Sequence, residues 1–206
     1  MTTVYLVRHS EPFKIHKGIE KTDENLLFSN IKTPLSVNGE KLAEKVSMNK
    51  EFSDLNVVWS SDYVRTMSTA KYFAERNNLK VNVSNQFGER KHGINSWDEL
   101  PPNFELHQFQ DENYKIGNGE SQKITKNRIL SELNVLLNEY KNKKILIVGH
   151  ATATAYLLKE WCEVNYTGPY KFKEKEFFDG NWRYCETFKL IFNETNELIS
   201  IENLNL

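Results

Sequence analysis

The pattern of apolar and polar positions predicts short strands that alternate with helices. Short runs rich in β-branched and aromatic residues are typical of buried strands. Such runs lie at 3–7, 56–59, 81–83 and 144–149. Apolar residues recur at helical spacing in segments at 37–46, 62–78, 122–140 and 151–163. Ser36 and Ser121 are predicted N-caps, the stretch Ser60-Ser61-Asp62 offers three more candidates, and Val37 is expected to face the core.

The remaining segments are predicted as loops and a hairpin. Residues 11–34 carry mixed charge without periodicity, which predicts a long loop that is either a functional lid or a surface insertion. Residues 94–120 are expected to form loop with one or two short helical pieces. The alternation at 188–192 and 198–201 predicts a hairpin. No internal repeat or linker interrupts the chain, so we expect a single domain over residues 1–206.

Composition narrows the range of partners. The 206 residues have a formal net charge of -1 and a sequence pI of about 6.5, so we expect no nucleic acid and no membrane as the main partner. No apolar run is long enough to span a bilayer, and no N-terminal targeting pattern is expected. Cys162 and Cys185 form no metal motif, and free thiols favour a reducing, cytoplasmic location.

Three predicted strands end in polar residues. The first runs into Arg8-His9, the second leads into a helix that carries Arg65, and the fourth leads into Gly149-His150. If the strands are parallel and covered by helices, these ends share one edge of the sheet, where ligands bind in open α/β proteins. Two His, two Arg and a helix N-terminus with the amide of Ala151 would form a site for a dianion such as phosphate.

The residue types at this edge indicate phosphoryl chemistry. No carboxylate cluster or Cys/His spacing indicates a metal site, and no cofactor is expected. An imidazole can attack phosphorus and form a phosphohistidine, and a carboxylic acid is then needed to protonate the departing alkoxide. Glu89, which follows the third predicted strand, is the best candidate for that acid.

The motifs, taken together, resemble the histidine phosphatase superfamily, which includes phosphoglycerate mutases and small-molecule phosphatases. The motifs are Leu6-Val7-Arg8-His9, Ser60-Ser61 with Arg65-Thr66 and Ala70, Glu89, Gly119-Glu120-Ser121 and Gly149-His150, in the family's order. The resemblance implies an α/β fold, with a mostly parallel central sheet and helices on both faces. It also implies that His9 is the phosphorylated nucleophile, that Arg8, Arg65 and His150 hold the phosphoryl group, and that Glu89 is the acid and then the base for water.

Some residues depart from the family pattern or have weaker claims. Ser10 stands where the family usually has Gly, and its hydroxyl is a candidate phosphate ligand beside the Ala151 amide. Glu120 and Ser121 are expected to cap a helix, and Arg128 to be a structural or rim charge. The aromatic residues could line a substrate mouth, although packing is the favoured interpretation; they are Phe177, Phe178, Trp182 and Tyr184.

Three functions fit these residues. The preferred one is a metal-independent phosphatase acting on a phosphorylated small molecule through His9. The second is a phosphoglycerate mutase, since Glu89-Arg90-Lys91-His92-Gly93 resembles a mutase motif, although mutases carry a much longer segment between the counterparts of Glu89 and Glu120. The third is a phospho-ligand binding module without turnover, which the presence of His9, Glu89 and His150 disfavours. The sequence identifies neither the substrate nor the oligomeric state.

Overall fold

A six-stranded sheet forms the centre of the computed structural model, which describes residues 1–14 and 30–206. Its strands are β1 (Thr2–Arg8), β2 (Val57–Ser60), β3 (Val81–Val83), β4 (Lys144–Gly149), and the pair named β8 (Thr187–Phe192) and β9 (Leu198–Asn203). The strand order is β3-β2-β4-β1-β8-β9. The first four strands in this order are parallel, whereas β8 and β9 run antiparallel as the predicted hairpin.

Helices cover both faces of this sheet. They are α1 (Val37–Ser47), α2 (Val64–Arg76), α3 (Phe104–Gln110), α4 (Gln122–Glu139) and α5 (Ala151–Leu158), with 3₁₀ turns at Lys50–Phe52, Asn85–Phe87 and Trp97–Glu99. Because side chains alternate along a strand, β1 serves two cores. Val4 and Leu6 pack with residues of α4 and α5, and Tyr5 and Val7 pack with residues of α1 and α2. The expected α/β fold with a mostly parallel sheet is confirmed.

The helix starts were predicted with mixed success. Ser36 accepts a hydrogen bond from the Gly39 amide and Ser121 accepts one from the Ile124 amide, so both N-caps are confirmed. Helix α2 instead begins after Tyr63, whose side chain makes no capping bond. The prediction that Val37 faces the core was wrong, since Val37 is 73% exposed at the outer side of the first turn of α1.

A small second sheet was not predicted. It contains β5 (Glu163–Val164), β6 (Tyr170–Phe172) and β7 (Lys175–Phe178), all antiparallel. The helix predicted to reach residue 163 ends at Leu158, because the following residues lead into β5. Lys173 and Glu174, both at positive φ, form the tight turn between β6 and β7. With three and four residues, β6 and β7 are too short for an alternation of apolar and polar positions to be recognised in the sequence.

Two predictions concern regions that the structure covers only in part. Residues 15–29 of the predicted loop 11–34 lie outside the described residues, while the flanks of that loop meet where Pro12 bridges Leu35. A single domain over residues 1–206 stays a prediction, and the pairing of β1 with β8 and of β8 with β9 in one sheet is its support. Within 1–14 and 30–206, no helix has the length and apolar character needed to cross a membrane.

Candidate active site

The ends of β1, β2 and β4 meet at one edge of the sheet, as the sequence predicts. Arg8 is in register with Gly149, and the His9 amide donates to the Gly149 carbonyl at 2.9 Å. The Ser61 amide donates to the Val148 carbonyl at 3.1 Å. These backbone bonds bring the His9 and His150 rings to 5.3 Å between centroids. Two imidazoles from distant parts of the chain therefore form one cluster.

His9 is held in one orientation by the backbone of the next residue. Its Nδ1 lies 2.7 Å from the Ser10 carbonyl oxygen, and because a carbonyl only accepts, Nδ1 carries the proton. The second ring nitrogen, Nε2, is therefore unprotonated in the neutral ring. Burial, the Arg65 charge and the Arg8 charge lower the pKa of His9 to about 3, against a hydrogen bond to Ser10 that opposes the shift. His9 is thus a neutral imidazole with a free lone pair on Nε2 at physiological pH.

Two guanidinium groups flank this histidine. Arg65 is buried, donates through Nη2 to His150 Nδ1 at 3.3 Å, and stacks 4.8 Å above the Tyr63 ring. Its Nη1 donates to the Asn30 carbonyl. Arg8 donates through Nη1 to the Trp182 carbonyl at 3.0 Å. Two positive charges therefore act on the His9 ring.

Arg8 keeps one donor free. Its Nε is buried, and within the described part of the chain it has no hydrogen-bond partner. The guanidinium also lies 4.9 Å from the centroid of the Tyr184 ring. An unpaired buried N–H is costly unless a ligand takes it up, so the unused Nε supports an anion site at this place.

Glu89 is fixed by two backbone amides. Its Oε1 accepts from the Arg90 amide and from the Ala153 amide, each at 2.9 Å, and the second bond places the carboxylate at the N-terminal turn of α5. Its Oε2 makes no hydrogen bond within the described residues. The neighbouring Arg90 turns its guanidinium away, towards Glu105 and His92. Glu89 therefore presents one free carboxylate oxygen.

Glu89 borders a cavity of about 390 Å³. Tyr63 lies in its wall as well, and the Tyr63 ring contacts the His150 ring at 4.6 Å between centroids. The cavity thus adjoins the cluster of His9 and His150. Its lining mixes apolar, amide and charged groups, among them Asn85, Gln86, Lys91, His92, Ile94 and Trp97.

A partly buried ion pair braces the loop that carries Glu89. Arg128 donates to the carbonyls of Gly88 and Glu89 at 3.0 and 3.1 Å, and also to the carbonyl of Gln86. Its charge is balanced by Glu120, which accepts two of its N–H groups at 2.8 and 2.9 Å. The expected structural role of Arg128 is confirmed. The expectation that Glu120 caps a helix was wrong, since its carboxylate is used in this brace.

Ser10 does not join the cluster with its hydroxyl. The hydroxyl donates to the Gly39 carbonyl at 2.7 Å, and the Ser10 amide donates to the Thr69 hydroxyl at 3.0 Å. Ser10 is also completely buried. Both of its polar groups are engaged elsewhere, so the geometry does not support a phosphate contact by the Ser10 hydroxyl. The residue instead anchors the turn after His9.

Ala151 begins α5, and its N-cap His150 makes no side-chain capping bond. It is the Ala153 amide, and not that of Ala151, that binds the Glu89 carboxylate. Ala151 lies in the wall of a second cavity of about 140 Å³, together with Tyr170 and Trp182. Its role as a phosphate-binding amide stays a prediction.

The sequence did not assign three residues that shape the site. The Tyr63 ring contacts both His150 and Arg65, while the Trp182 backbone carbonyl and the Tyr184 ring contact Arg8. Trp182 packs in turn on Phe178 and Phe188, with ring centroids 5.2 and 5.3 Å away. The aromatic residues near the end of the chain were the feature of the sequence that could have indicated these contacts. In the structure they pack around Arg8.

Metal ligands are not gathered in the described ranges 1–14 and 30–206, where no group of three or more His, Cys, Asp or Glu residues could hold an ion. The positive charge at the site comes from Arg8 and Arg65. Such a site can bind an anion through charge-assisted hydrogen bonds alone.

Comparison with known proteins gives consistent matches. Residues 4–176 match the model of the histidine phosphatase superfamily (branch 1). The chain is 28% identical to the uncharacterized phosphatase PhoE of Bacillus subtilis over 78% of this chain and 77% of that protein. It is 26% identical to phosphoserine phosphatase 1 of Hydrogenobacter thermophilus over 73% and 71% of the two chains. Among solved structures, phosphoserine phosphatase of Entamoeba histolytica, in complex with phosphoserine, has 19% identity and a TM-score of 0.66 over 98% and 97%.

Proposed function

The chain belongs to the histidine phosphatase superfamily and is a phosphatase; from this premise we propose that it hydrolyses small-molecule phosphomonoesters through a phosphohistidine on His9. The observation that carries the proposal is the state of the His9 ring. Its Nδ1–H is bound to the Ser10 carbonyl, its Nε2 is unprotonated, and Arg65 and Arg8 lie close enough to help lower its pKa. This is a nucleophile prepared for attack on an anion.

The first step transfers the phosphoryl group to the enzyme. The lone pair of His9 Nε2 attacks phosphorus, a P–N bond forms, and the P–O bond to the leaving alcohol breaks. Glu89 protonates the departing oxygen through its free Oε2, while Oε1 stays bound to the two amides. The products of this step are the free alcohol and phospho-His9.

The second step returns the enzyme to its starting state. The Glu89 carboxylate removes a proton from water, the resulting oxygen attacks phosphorus, and the P–N bond breaks to release inorganic phosphate. Arg8, Arg65 and His150 bind the equatorial oxygens in both steps, and the unused Arg8 Nε is one of the donors available for them. Because the side chains of Arg8 and Arg65 supply the positive charge, we propose that the reaction needs no metal ion.

The cavity beside Glu89 is the proposed place of the leaving group. Its volume of about 390 Å³ fits a metabolite-sized alcohol, and its polar lining fits a hydroxylated or charged one. Phosphoserine phosphatase 1 among the relatives makes phosphoserine the first substrate to test. A phosphoglycerate mutase is disfavoured by the state of Arg90, the arginine of the mutase-like motif. Its buried guanidinium is bound to Glu105 and His92 and is therefore not available to a phosphoglycerate.

The test is turnover of a panel of phosphomonoesters, in the presence and absence of EDTA, by the wild type and by His9→Ala. We expect release of inorganic phosphate by the wild type, undiminished by EDTA, and none by the variant. The panel includes phosphoserine and 3-phosphoglycerate, and transfer between glycerate positions is followed in parallel. Metal-dependent turnover, turnover by His9→Ala, or faster transfer than hydrolysis would each contradict the proposal.

We also propose a cytoplasmic location. Its support is that Cys162 and Cys185 are both free thiols in the structure, and free thiols persist in reducing compartments.

A further inference from the structure

His150 is the end of a chain of buried hydroxyl groups. Its Nε2 lies 2.9 Å from the Ser61 hydroxyl, which lies 2.6 Å from the Thr66 hydroxyl. The Thr66 hydroxyl donates to the Tyr63 carbonyl at 2.7 Å. Ser61, Thr66 and His150 are each at most 1% exposed, so no solvent competes for these bonds. The function proposed above gives Ser61 and Thr66 no task.

The directions of the bonds fix which nitrogen of His150 carries the proton. Arg65 Nη2 lies 3.3 Å from His150 Nδ1, and a guanidinium can only donate. Nδ1 is therefore the acceptor, and the proton of the neutral ring sits on Nε2, which donates to Ser61. The Ser61 hydroxyl then donates to Thr66, whose own proton is used at the Tyr63 carbonyl. The Ser61 hydroxyl oxygen also accepts from the Tyr63 amide at 3.3 Å, and the Ser61 carbonyl, at 3.2 Å, is a second acceptor for the Thr66 proton, so these directions leave every group of the chain with a partner.

This arrangement affects how a phosphoryl group is bound. If His150 contacts the phosphoryl group, as the proposed function requires, it does so with Nδ1, because Nε2 is occupied by Ser61. An unprotonated Nδ1 cannot donate to an anionic oxygen. We propose that Ser61 is a positioning residue that keeps the proton of His150 on Nε2, so that the site takes up a tetrahedral dianion together with one proton. That proton lies between Nδ1 and an oxygen of the anion.

The charges around His150 fit this proton uptake. The groups that act on its charge or contact its ring are Arg8 and His9 from the end of β1, Tyr63 and Arg65 from the start of α2, where Tyr63 is the N-cap, and Arg128 from α4. Burial and the neighbouring cations hold the pKa of His150 well below its usual range in the empty site, so the ring is neutral before the anion enters. A bound dianion offsets those cations and favours the added proton.

The experiment measures inhibition by sulfate as a function of pH. Sulfate is a tetrahedral dianion that carries no proton near neutral pH, so any proton taken up must come from solvent. In the wild type we expect the inhibition constant to rise about tenfold per pH unit between about pH 6 and pH 8, as one-proton linkage requires. In Ser61→Ala, the ring proton is free to move to Nδ1 when the anion enters. We therefore expect the inhibition constant of this variant to rise about threefold or less per pH unit.

Ser60→Ala is the matched control. Ser60 is equally buried and adjacent, but its hydroxyl donates to the Ser61 carbonyl at 2.8 Å and makes no bond to His150. We expect its pH dependence to equal that of the wild type. If the sulfate inhibition constant changes equally with pH in the wild type and in Ser61→Ala, whatever the size of that change, the proposal is overturned.

A second measurement needs neither a variant nor turnover. Nitrogen NMR shifts of the His150 ring in the wild-type protein distinguish a protonated from an unprotonated ring nitrogen. We expect a proton on Nε2 and none on Nδ1 in the absence of anions. A proton on Nδ1 would overturn the inference, whereas an absence of hydrolysis in the substrate panel would count against the proposed function alone.

Discussion

Glu89→Gln separates the chemical role of Glu89 from its structural one. Glutamine retains a carbonyl oxygen that can accept both the Arg90 amide and the Ala153 amide, whereas it cannot donate an acidic proton. We therefore expect the free energy of unfolding to change by less than about 1 kcal/mol. Glu89→Ala, in contrast, loses both amide bonds and should destabilise the protein by about 1–3 kcal/mol.

The effect of Glu89→Gln on rate should depend on the leaving group. A positioned general acid contributes about 10²- to 10⁴-fold, which corresponds to about 3–5 kcal/mol of transition-state free energy. An alkyl phosphate such as phosphoserine needs this proton because its alkoxide is a strong base. p-Nitrophenolate is a weak base, so its ester should lose about tenfold or less.

The assay is single-turnover formation of the phosphoenzyme by rapid quench with each ester, because the proposed mechanism also uses Glu89 in the second step. Asp62→Asn is the matched control, since it removes another carboxylate from the wall of the same cavity. We expect little change of rate in that control. Equal losses for both esters in Glu89→Gln would show that Glu89 is not the acid, and Asp98, Glu99 and His92 would be tested next.

Three further predictions concern the supports of the site. Tyr184→Ala should weaken inorganic phosphate binding in calorimetry about 3- to 30-fold by loosening Arg8, and Tyr184→Phe should not. Arg128→Met should lower the unfolding free energy in urea by about 2–4 kcal/mol, whereas the exposed Arg183→Gln should cost less than about 0.5 kcal/mol. The folded-state pKa of His9 is depressed to about 3, so only the unfolded state takes up this proton as pH falls below about 6.5. The unfolding free energy of the wild type should therefore fall by about 2 kcal/mol between pH 6.5 and pH 5 because of His9. Urea melts of His9→Asn should lack this loss. Unchanged values in these variants would contradict the corresponding contacts.

The sequence predicted those residues of the site that lie at the ends of buried strands. Arg8-His9 and Gly149-His150 directly follow apolar runs, and parallel pairing of β1 with β4 brings them into register. Charged residues directly after a buried strand are expensive to bury without a partner, so their position is informative. Glu89 was selected as a candidate for a similar reason, because it follows a strand of the same sheet.

The supports of these residues depend on tertiary contacts that no local pattern encodes. Trp182 and Tyr184 reach Arg8 only because the small β5–β7 sheet and β8 pack beside β1. Ser61 looked like a helix cap, but its hydroxyl is used at His150 from the far end of β4. A serine at a strand–helix junction has the same local sequence in either role, so only the fold distinguishes them.

The most direct test of the account is the identity of the phosphorylated atom. Wild-type enzyme mixed with a labelled phosphomonoester is quenched without acid, and the phosphopeptide is identified by mass spectrometry and phosphorus NMR. Because Nδ1 of His9 is bound to the Ser10 carbonyl at 2.7 Å, we predict a base-stable, acid-labile phosphoryl group on His9 Nε2. Label on another residue, on Nδ1, or equally in His9→Ala would contradict the central claim.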